Sequence, residues 1–363
     1  MNRRTILKLG VAASALVMLP RMAAASFAPK PAGWREFEVI TRIDLPAGGE
    51  TAQVWVPVPS VNEDGWMKPG ALSWTTSTES AEIKTDPVSG ARFLHAQWAA
   101  ADAPRTLEIV ATVATRDRAT DFAQTGTASA LSEEDRALYT APTALIPTDG
   151  IVRQTTEQIV VGARSDLDKA RRIYEWIVES TERNPETRGC GLGDVASMLE
   201  MGDLTGKCAD LNALFVGLAR AAGLPARDVY GLRVAPSAFG YKSLGANKPD
   251  VTKSQHCRAE VFLEGFGWVA ADPADVRKVM LEEPPGNLGF DDPKVADARA
   301  ALFGAWEGNW IGYNFGHDIA LPGSENDAVA FLMYPEAEIG GERLDQLDAA
   351  AFAYSITARE LTA

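Results

Sequence analysis

The sequence predicts an α+β protein in which an antiparallel β unit precedes a helical core closed by a β-hairpin. Three observations carry this reading. Residues 34–115 alternate apolar and polar side chains with a period of two, residues 151–223 place apolar side chains at helical spacing, and residues 255–272 return to a strand-turn-strand pattern. At 363 residues the chain exceeds what one hydrophobic core normally fills, so two or more structural units are expected. Apolar residues make up 46% and charged residues 23%, which excludes both a membrane bundle and a disordered chain.

Residues 1–25 read as an address. Arg3 and Arg4 open a basic region, Leu9 to Leu19 is apolar but too short to span a bilayer comfortably, and Ala23-Ala24-Ala25 offers a small-residue cleavage site. The run Asn2-Arg3-Arg4-Thr5-Ile6-Leu7-Lys8 resembles a twin-arginine export signal, with Asn2 and Ile6 where the commoner pattern has Ser or Thr and Phe. The general secretory route and, as a lesser alternative, an uncleaved membrane anchor are the other readings, and either export route implies a periplasmic or secreted protein. Removing the segment deletes Arg3, Arg4, Lys8 and Arg21 and no acidic residue, so the formal charge moves from -14 to -18. Such a chain repels phosphate backbones and anionic lipid, so nucleic acid is excluded as a partner. No later stretch reaches transmembrane length, so no stable membrane span is expected in the mature chain.

From residue 34 to 115 the pattern suggests a β-sandwich. Phe37, Val39, Thr41, Ile43 and Leu45 alternate with mostly polar neighbours, Pro46-Ala47-Gly48-Gly49 turns the chain, and Ala52, Val54, Val56 and Val58 alternate again. Val88-Ser89-Gly90-Ala91 separates two more candidate strands, and Leu107, Ile109, Ala111 and Val113 form another. This unit has no acid, base and nucleophile cluster, which fits a scaffold or substrate-positioning role. Residues 116–150, rich in Thr, Ala, Ser and Pro, read as a linker. The core is expected over residues 151–280, and residues 281–363 form a C-terminal extension packing near it.

Within the core, Ile151 to Val161 and Ser165 to about Glu182 read as helices. Ser165 can cap the second, with Asp168 three residues on, and Ala170, Ile173, Tyr174, Ile177 and Val178 form its apolar face. Leu204 to Gly223 reads as a buried helix, with Leu211, Leu214, Phe215, Leu218 and Ala222 at helical spacing, Gly223 as the cap and Pro225 as the stop. Cys208 falls in its first turn, where unpaired backbone N–H groups and the helix dipole favour a thiolate. Those N–H groups could also bind the oxyanion formed when the thiolate attacks a carbonyl. Lys207 adds to this if its side chain turns inward.

Gln255 to Leu263 and Trp268 to Asp272 read as strands joined by Glu264-Gly265-Phe266-Gly267. His256 and Asp272 then nearly face each other on the same side of the hairpin. An imidazole oriented by a carboxylate is what a thiol nucleophile needs. The chain has only three histidines, His95, His256 and His317. His95 lies in the β unit and reads as structural. His317 follows the aromatic run Trp306, Trp310, Tyr313, Asn314 and Phe315, which suggests core packing, and its neighbour Asp318 should point away from it.

Three blocks together resemble the transglutaminase-like branch of the papain-type cysteine enzymes. They are Gly206-Lys207-Cys208-Ala209-Asp210, then Ala219-Arg220-Ala221-Ala222-Gly223-Leu224-Pro225-Ala226-Arg227, then the hairpin from His256 through Gly267-Trp268-Val269 to Asp272-Pro273. The resemblance covers roughly residues 166–274. It implies a nucleophile helix packed on an antiparallel sheet that carries the base and the acid, with Cys208 as nucleophile, His256 as base and Asp272 as orienting group. Arg227 fits the family pattern as a structural position.

The two remaining cysteines suggest a Cys190–Cys257 disulfide in an exported protein. Cys257 alternates with His256 and is expected on the opposite face, away from the site. No Cys-x-x-Cys spacing supports a metal site, so neither metal nor cofactor is expected. Gly189-Cys190-Gly191-Leu192-Gly193 lacks the βαβ setting of a dinucleotide loop and reads as a loop entering the core.

The expected activity is thiol-dependent acyl transfer on amide bonds of a peptide or protein substrate. Resolution by water gives a protease or amidase, and resolution by an amine gives a transglutaminase. A catalytically silent binding module on the same fold is the alternative.

Overall fold

The computed structural model describes residues 26–361 apart from residues 125 and 127, and the export signal expected in residues 1–25 lies outside the described residues. The architecture is α+β. Two antiparallel sheets face each other in the β unit. One has the order Tyr354–Leu361, Arg35–Leu45, Arg105–Thr115, Met67–Thr76, and the other the order Glu342–Arg343, Glu336–Ile339, Ala52–Pro57, Arg92–Trp98, Ser80–Thr85.

The alternation predicted for residues 37–45 and 107–113 is borne out in burial. Ile43, Leu45, Leu107 and Ile109 from one sheet pack against Val54, Val56, Leu94 and Ala96 from the other. Polar residues at the alternate positions face outward, as the two-residue repeat of a strand requires. Further along the same strands, Phe37, Val39 and Val113 join the larger apolar cluster of the helical core, so the two regions share continuous packing.

The C-terminal segment, expected as one extension, divides between both regions. Trp310–Asn314 pairs with the core strand Ala226–Arg233, whereas Glu336–Ile339 and Tyr354–Leu361 complete the two sheets of the β unit. Sequence periodicity could not reveal this, because antiparallel partners distant in the chain carry no local signal. Residues 116–150 hold more order than a plain linker. Arg118–Ala119 pairs with Ala305–Trp306, Glu133–Thr140 is a helix capped by Ser132, and Arg118 is ion-paired with buried Glu260.

Helices Gly150–Ile159 and Asp166–Ser180 match the sequence reading closely. Ser165 caps the second by accepting from Asp168 N–H at 3.1 Å, and Asp168 in return accepts from Arg164 N–H at 3.0 Å. The helix Cys208–Ala221 is buried along almost its whole length between these helices and a four-stranded sheet. That sheet runs Gly267–Ala271, Gln255–Leu263, Ala226–Arg233, Trp310–Asn314, all antiparallel. Burial of Leu211, Leu214, Phe215 and Leu218 contributes about 1.5–3 kcal/mol each, which fixes the helix before its first turn is used for chemistry.

Arg227 is structural in the way its motif implies. Its guanidinium bonds Glu260 at 2.6 Å and Glu63 at 2.7 Å, and lies over the rings of Phe315 and Trp268 at 3.7 and 4.0 Å. A buried cation with two carboxylates and two ring faces is well compensated, and Glu63 ties the β unit to the core.

Candidate active site

Cys208 is the first residue of its helix because Lys207 and Asp210 set the start. Lys207 is extended, with φ −114°, and its N–H donates to Asp210 Oδ2 at 3.0 Å. Asp210 Oδ1 accepts from Leu192 and Gly193 N–H at 2.9 and 3.0 Å. The glycine-rich loop therefore wraps this carboxylate. A Cβ on Gly191, whose φ is +95°, would lie 1.8 Å from Asp210 Oδ2, and one on Gly206 would lie 2.5 Å from it.

Ala209 N–H, one of the donors expected for an oxyanion, is already taken by Cys190 O at 2.9 Å. Cys208 N–H has no hydrogen-bond partner among the described residues. It is the backbone donor left for a substrate oxygen next to the thiol.

His256 sits on the adjacent strand opposite Gly231. That pairing requires glycine, since a Cβ there would lie 2.0 Å from Ile311 O and 2.3 Å from the Trp310 ring. Trp310 in turn donates its indole N–H to His256 O at 2.8 Å. The aromatic run thus packs in the core, as predicted, and also anchors the backbone of His256.

Asp272 follows the last residue of the returning strand and caps the helix Pro273–Glu282. The hairpin pairs Ala259 with Ala271, so Asp272 continues opposite Arg258, two residues from His256 and on the same face. His256 Nε2 lies 2.8 Å from Asp272 Oδ2, and both residues are buried. Asp272 Oδ1 accepts from Asp275 N–H at 3.1 Å and from Asn212 Nδ2 at 3.2 Å. With Nε2 held by the carboxylate, Nδ1 is the ring nitrogen left for the thiol.

The electrostatics fit a thiolate–imidazolium pair. The neighbouring Cys190 and Cys257 thiols and the adjacent His256 ring together overcome burial and hold the Cys208 thiol well below the usual range. Burial and Arg233 pull His256 down, but the carboxylates of Asp275 and Asp272 and the Cys208 thiolate outweigh them and push it up to about 10. The directions agree: each partner stabilises the charged form of the other.

Two expectations about the other cysteines are corrected. Cys190 and Cys257 are free rather than disulfide-bonded, and both are buried. Cys257 also does not lie away from the site, because the Cys190 and Cys257 thiols are both close enough to the Cys208 sulfur to perturb it, while Cys190 Sγ donates to Gln255 O at 3.4 Å. Strand alternation separates His256 from Cys257, but the nucleophile helix packs across the strand and brings its first turn within reach of both. The adjacent Cys208 sulfur and burial raise the Cys190 thiol, and burial and Cys208 raise that of Cys257, so both stay protonated.

Sequence reasoning also missed Arg233, Asp275 and Asn212. Arg233 grips Asp275 through both oxygens at 2.6 and 2.8 Å, and Asn212 Nδ2 bridges Asp272 to Cys257 O, the latter at 2.8 Å. Asn212 was findable, since it lies one helical turn beyond Cys208. Arg233 had no signal. His256, Asp272 and Asp275 also converge closely enough for a cation, but the Arg233 fork, the Asn212 amide and the Asp275 N–H already occupy most carboxylate oxygens.

The other histidines stand apart. His95 stacks on Trp55 with ring centroids 5.2 Å apart and meets Gln53 at 3.2 Å, which fits its structural reading. His317 Nε2 lies 3.3 Å from buried Asp228, a neighbour the sequence reading did not identify, and its Nδ1 lies 3.4 Å from the Tyr230 hydroxyl. Asp318 turns instead to Ala144 N–H.

Cys208 and His256 line a cavity of about 650 Å³. Its wall includes Lys207, Lys242, Lys253, Arg183 and Lys278, with Glu282 as its one acidic residue. Loop and strand residues Leu347, Phe352 and Tyr354 close the far side, so the C-terminal segment forms part of the cleft.

Comparison with known proteins places the chain in a family. The family described as the transglutaminase-like superfamily matches residues 153–273. The chain is 35% identical over 341 residues to an uncharacterized protein of Haemophilus influenzae, covering 90% of this chain and 91% of that one. A crystal structure of a candidate cysteine protease from Cytophaga hutchinsonii shares the fold with a TM-score of 0.50 and 16% identity, covering 90% of this chain and 99% of that one. The periplasmic domain of TgpA from Pseudomonas aeruginosa is a looser likeness, with a TM-score of 0.34 and 14% identity over 70% of this chain and 90% of that domain. This chain belongs to the transglutaminase-like superfamily.

Proposed function

We propose that the protein is an exported cysteine hydrolase that cleaves amide bonds in peptide-like substrates, with Cys208, His256 and Asp272 as its catalytic set. The observation that carries this is the buried His256–Asp272 bond of 2.8 Å beside a thiol at a helix start that opens onto a substrate-sized cavity. The export reading rests on the leader-like residues 1–25, and no helix among the described residues is long and apolar enough to cross a membrane.

The steps follow from the charges. The Cys208 thiolate attacks the amide carbon, and the developing oxyanion takes the Cys208 N–H. As the C–N bond breaks, the His256 imidazolium gives its Nδ1 proton to the leaving amine, leaving a thioester and a neutral imidazole. His256 then removes a proton from water, whose oxygen attacks the thioester. The C–S bond breaks, the acid departs, and the thiolate–imidazolium pair is restored. Asp272 keeps the ring oriented and stabilises its charge throughout.

Water is favoured over an amine as acceptor. A primary amine is largely an ammonium ion at neutral pH and would have to pass Lys207, Lys242 and Lys253. The test compares the wild-type protein with Cys208→Ala on a glutamine-containing peptide library, with and without a primary amine, read by mass spectrometry. Thiol-dependent cleavage or deamidation supports hydrolysis, and amine incorporation would shift the reading to transamidation. Identical spectra from both proteins, together with Cys208 alkylation no faster than that of a peptide cysteine below neutral pH, would support a silent binding module instead.

A further inference from the structure

The charge of the cleft runs against that of the chain. The whole protein carries a formal charge of -14, yet the cavity beside Cys208 collects cations. Two of these are paired with carboxylates, Arg233 with buried Asp275 and Arg188 with partly exposed Asp345, which lines the neighbouring cavity. Arg183 and Lys278 share the single carboxylate of Glu282. Lys207, Lys242 and Lys253 have no carboxylate within 4.0 Å among the described residues. The cavity therefore holds an excess of positive charge that nothing in its own wall balances.

The positions of these groups matter as much as their number. Lys207 is the residue before the nucleophile, Lys253 lies three residues before the base, and Lys242 comes from the short helical turn Lys242–Leu244. Three separate segments thus contribute a lysine to the lining of one cavity. Lys278 is mostly buried, with 18% of its side chain exposed, and burial and Arg183 lower its pKa. An anion entering the cavity would relieve that cost.

A neighbouring cavity of about 790 Å³, across Cys190 and Leu347, has the opposite character. Leu192, Met198 and Met201 contribute apolar lining, and five carboxylates, Asp194 and Asp203 among them, outnumber Arg188 and Arg343. The cleft is polarised from one side to the other, so an anionic substrate segment has one favourable side.

We infer that this cavity selects acidic peptide substrates, binding carboxylates near the scissile amide through Lys207, Lys242 and Lys253. The inference rests on the reading of the cavity as the substrate site of the proposed hydrolase and adds the class of substrate. Lysines are strongly hydrated point charges on flexible stems, suited to dispersed carboxylates, whereas a single phosphate would favour converging guanidinium forks.

The test measures binding on full-length Cys208→Ala protein by fluorescence anisotropy, so that no turnover is needed. Three labelled octapeptides, identical except for three Glu, three Gln or three phosphoserine residues, serve as probes. The Glu peptide should bind roughly tenfold tighter than the Gln peptide, as expected for three partly exposed ion pairs. That preference should fall to about threefold or less in a Lys242→Gln/Lys253→Gln variant and in about 0.5 M NaCl. Equal affinity for the Glu and Gln peptides overturns the inference, and so does a preference that survives the double substitution. Binding of the phosphoserine peptide without the Glu peptide overturns the assignment to carboxylates. Because the thiol is absent, these outcomes are independent of whether Cys208 is a nucleophile, which the alkylation and turnover measurements decide separately.

Discussion

Two histidine–aspartate pairs flank the central sheet, and their surroundings differ. His256 Nε2 meets Asp272 at 2.8 Å, whereas His317 Nε2 meets Asp228 at 3.3 Å. Asp272 accepts further bonds from Asn212 and the Asp275 N–H, whereas neither oxygen of Asp228 has a hydrogen-bond partner among the described residues. The second ring nitrogen of His256 is left for a thiol beside a large cavity, and that of His317 faces the Tyr230 hydroxyl. An adjacent carboxylate alone does not make a histidine a base. What matters is the group at the other nitrogen and the space beyond it.

The largest effect should come from removing that group. Cys208→Ala should lower turnover by at least about 10³-fold with little change in thermal stability, measured by peptide hydrolysis and melting curves. A smaller loss would mean that another group carries the reaction.

Changing the orienting acid should come next. Asp272→Asn can still accept the Asp275 N–H and cap its helix, but it loses the charge that stabilises the imidazolium, so turnover should fall by about 10²-fold. Asp272→Ala should lose the cap as well, costing about 1 kcal/mol more in stability by denaturant unfolding. If Asn and Ala were equal in both assays, the carboxylate would have no orienting role.

The ion pair also predicts a pH profile. The thiolate forms as pH rises through a Cys208 value below the ordinary thiol range, and the imidazolium is lost as pH rises through the His256 value of about 10. Hydrolysis should therefore hold a plateau across neutrality, with an acid limb set by Cys208 and an alkaline limb near pH 10. Iodoacetamide labelling should stay fast at about pH 6, where a free cysteine is almost wholly protonated. Cys190→Ala removes a neighbouring thiol that helps hold the Cys208 thiol down and should move the acid limb upward.

The smallest effect on activity should follow His317→Gln. Turnover should stay within about threefold of wild type, while stability falls by about 1–3 kcal/mol because the buried Asp228 carboxylate loses the ring nitrogen 3.3 Å from it. A large loss of turnover with unchanged stability would reverse the ranking of the two histidines.

Much of this site was legible because its signals are local. Cys208 at a helix start needs only the apolar spacing of Leu211, Leu214, Phe215 and Leu218, and the hairpin from His256 to Asp272 follows from alternation and a glycine turn. Asp275, Arg233 and the two flanking thiols depend on how the helix crosses the sheet. Strand alternation therefore misled the placement of Cys257, and the export context misled the pairing of Cys190.

The sequence by itself determined the α+β class, the helices at residues 150–180 and 208–221, and the pairing of His256 with Asp272, because periodicity and turn residues act over a few neighbours. Only the tertiary structure decided that C-terminal strands complete the β unit, that three thiols meet at one helix end, and that lysines from three segments share a cavity in an acidic protein. Those juxtapositions join residues separated by tens to hundreds of positions, and packing of the buried helix on the sheet is what brings them together.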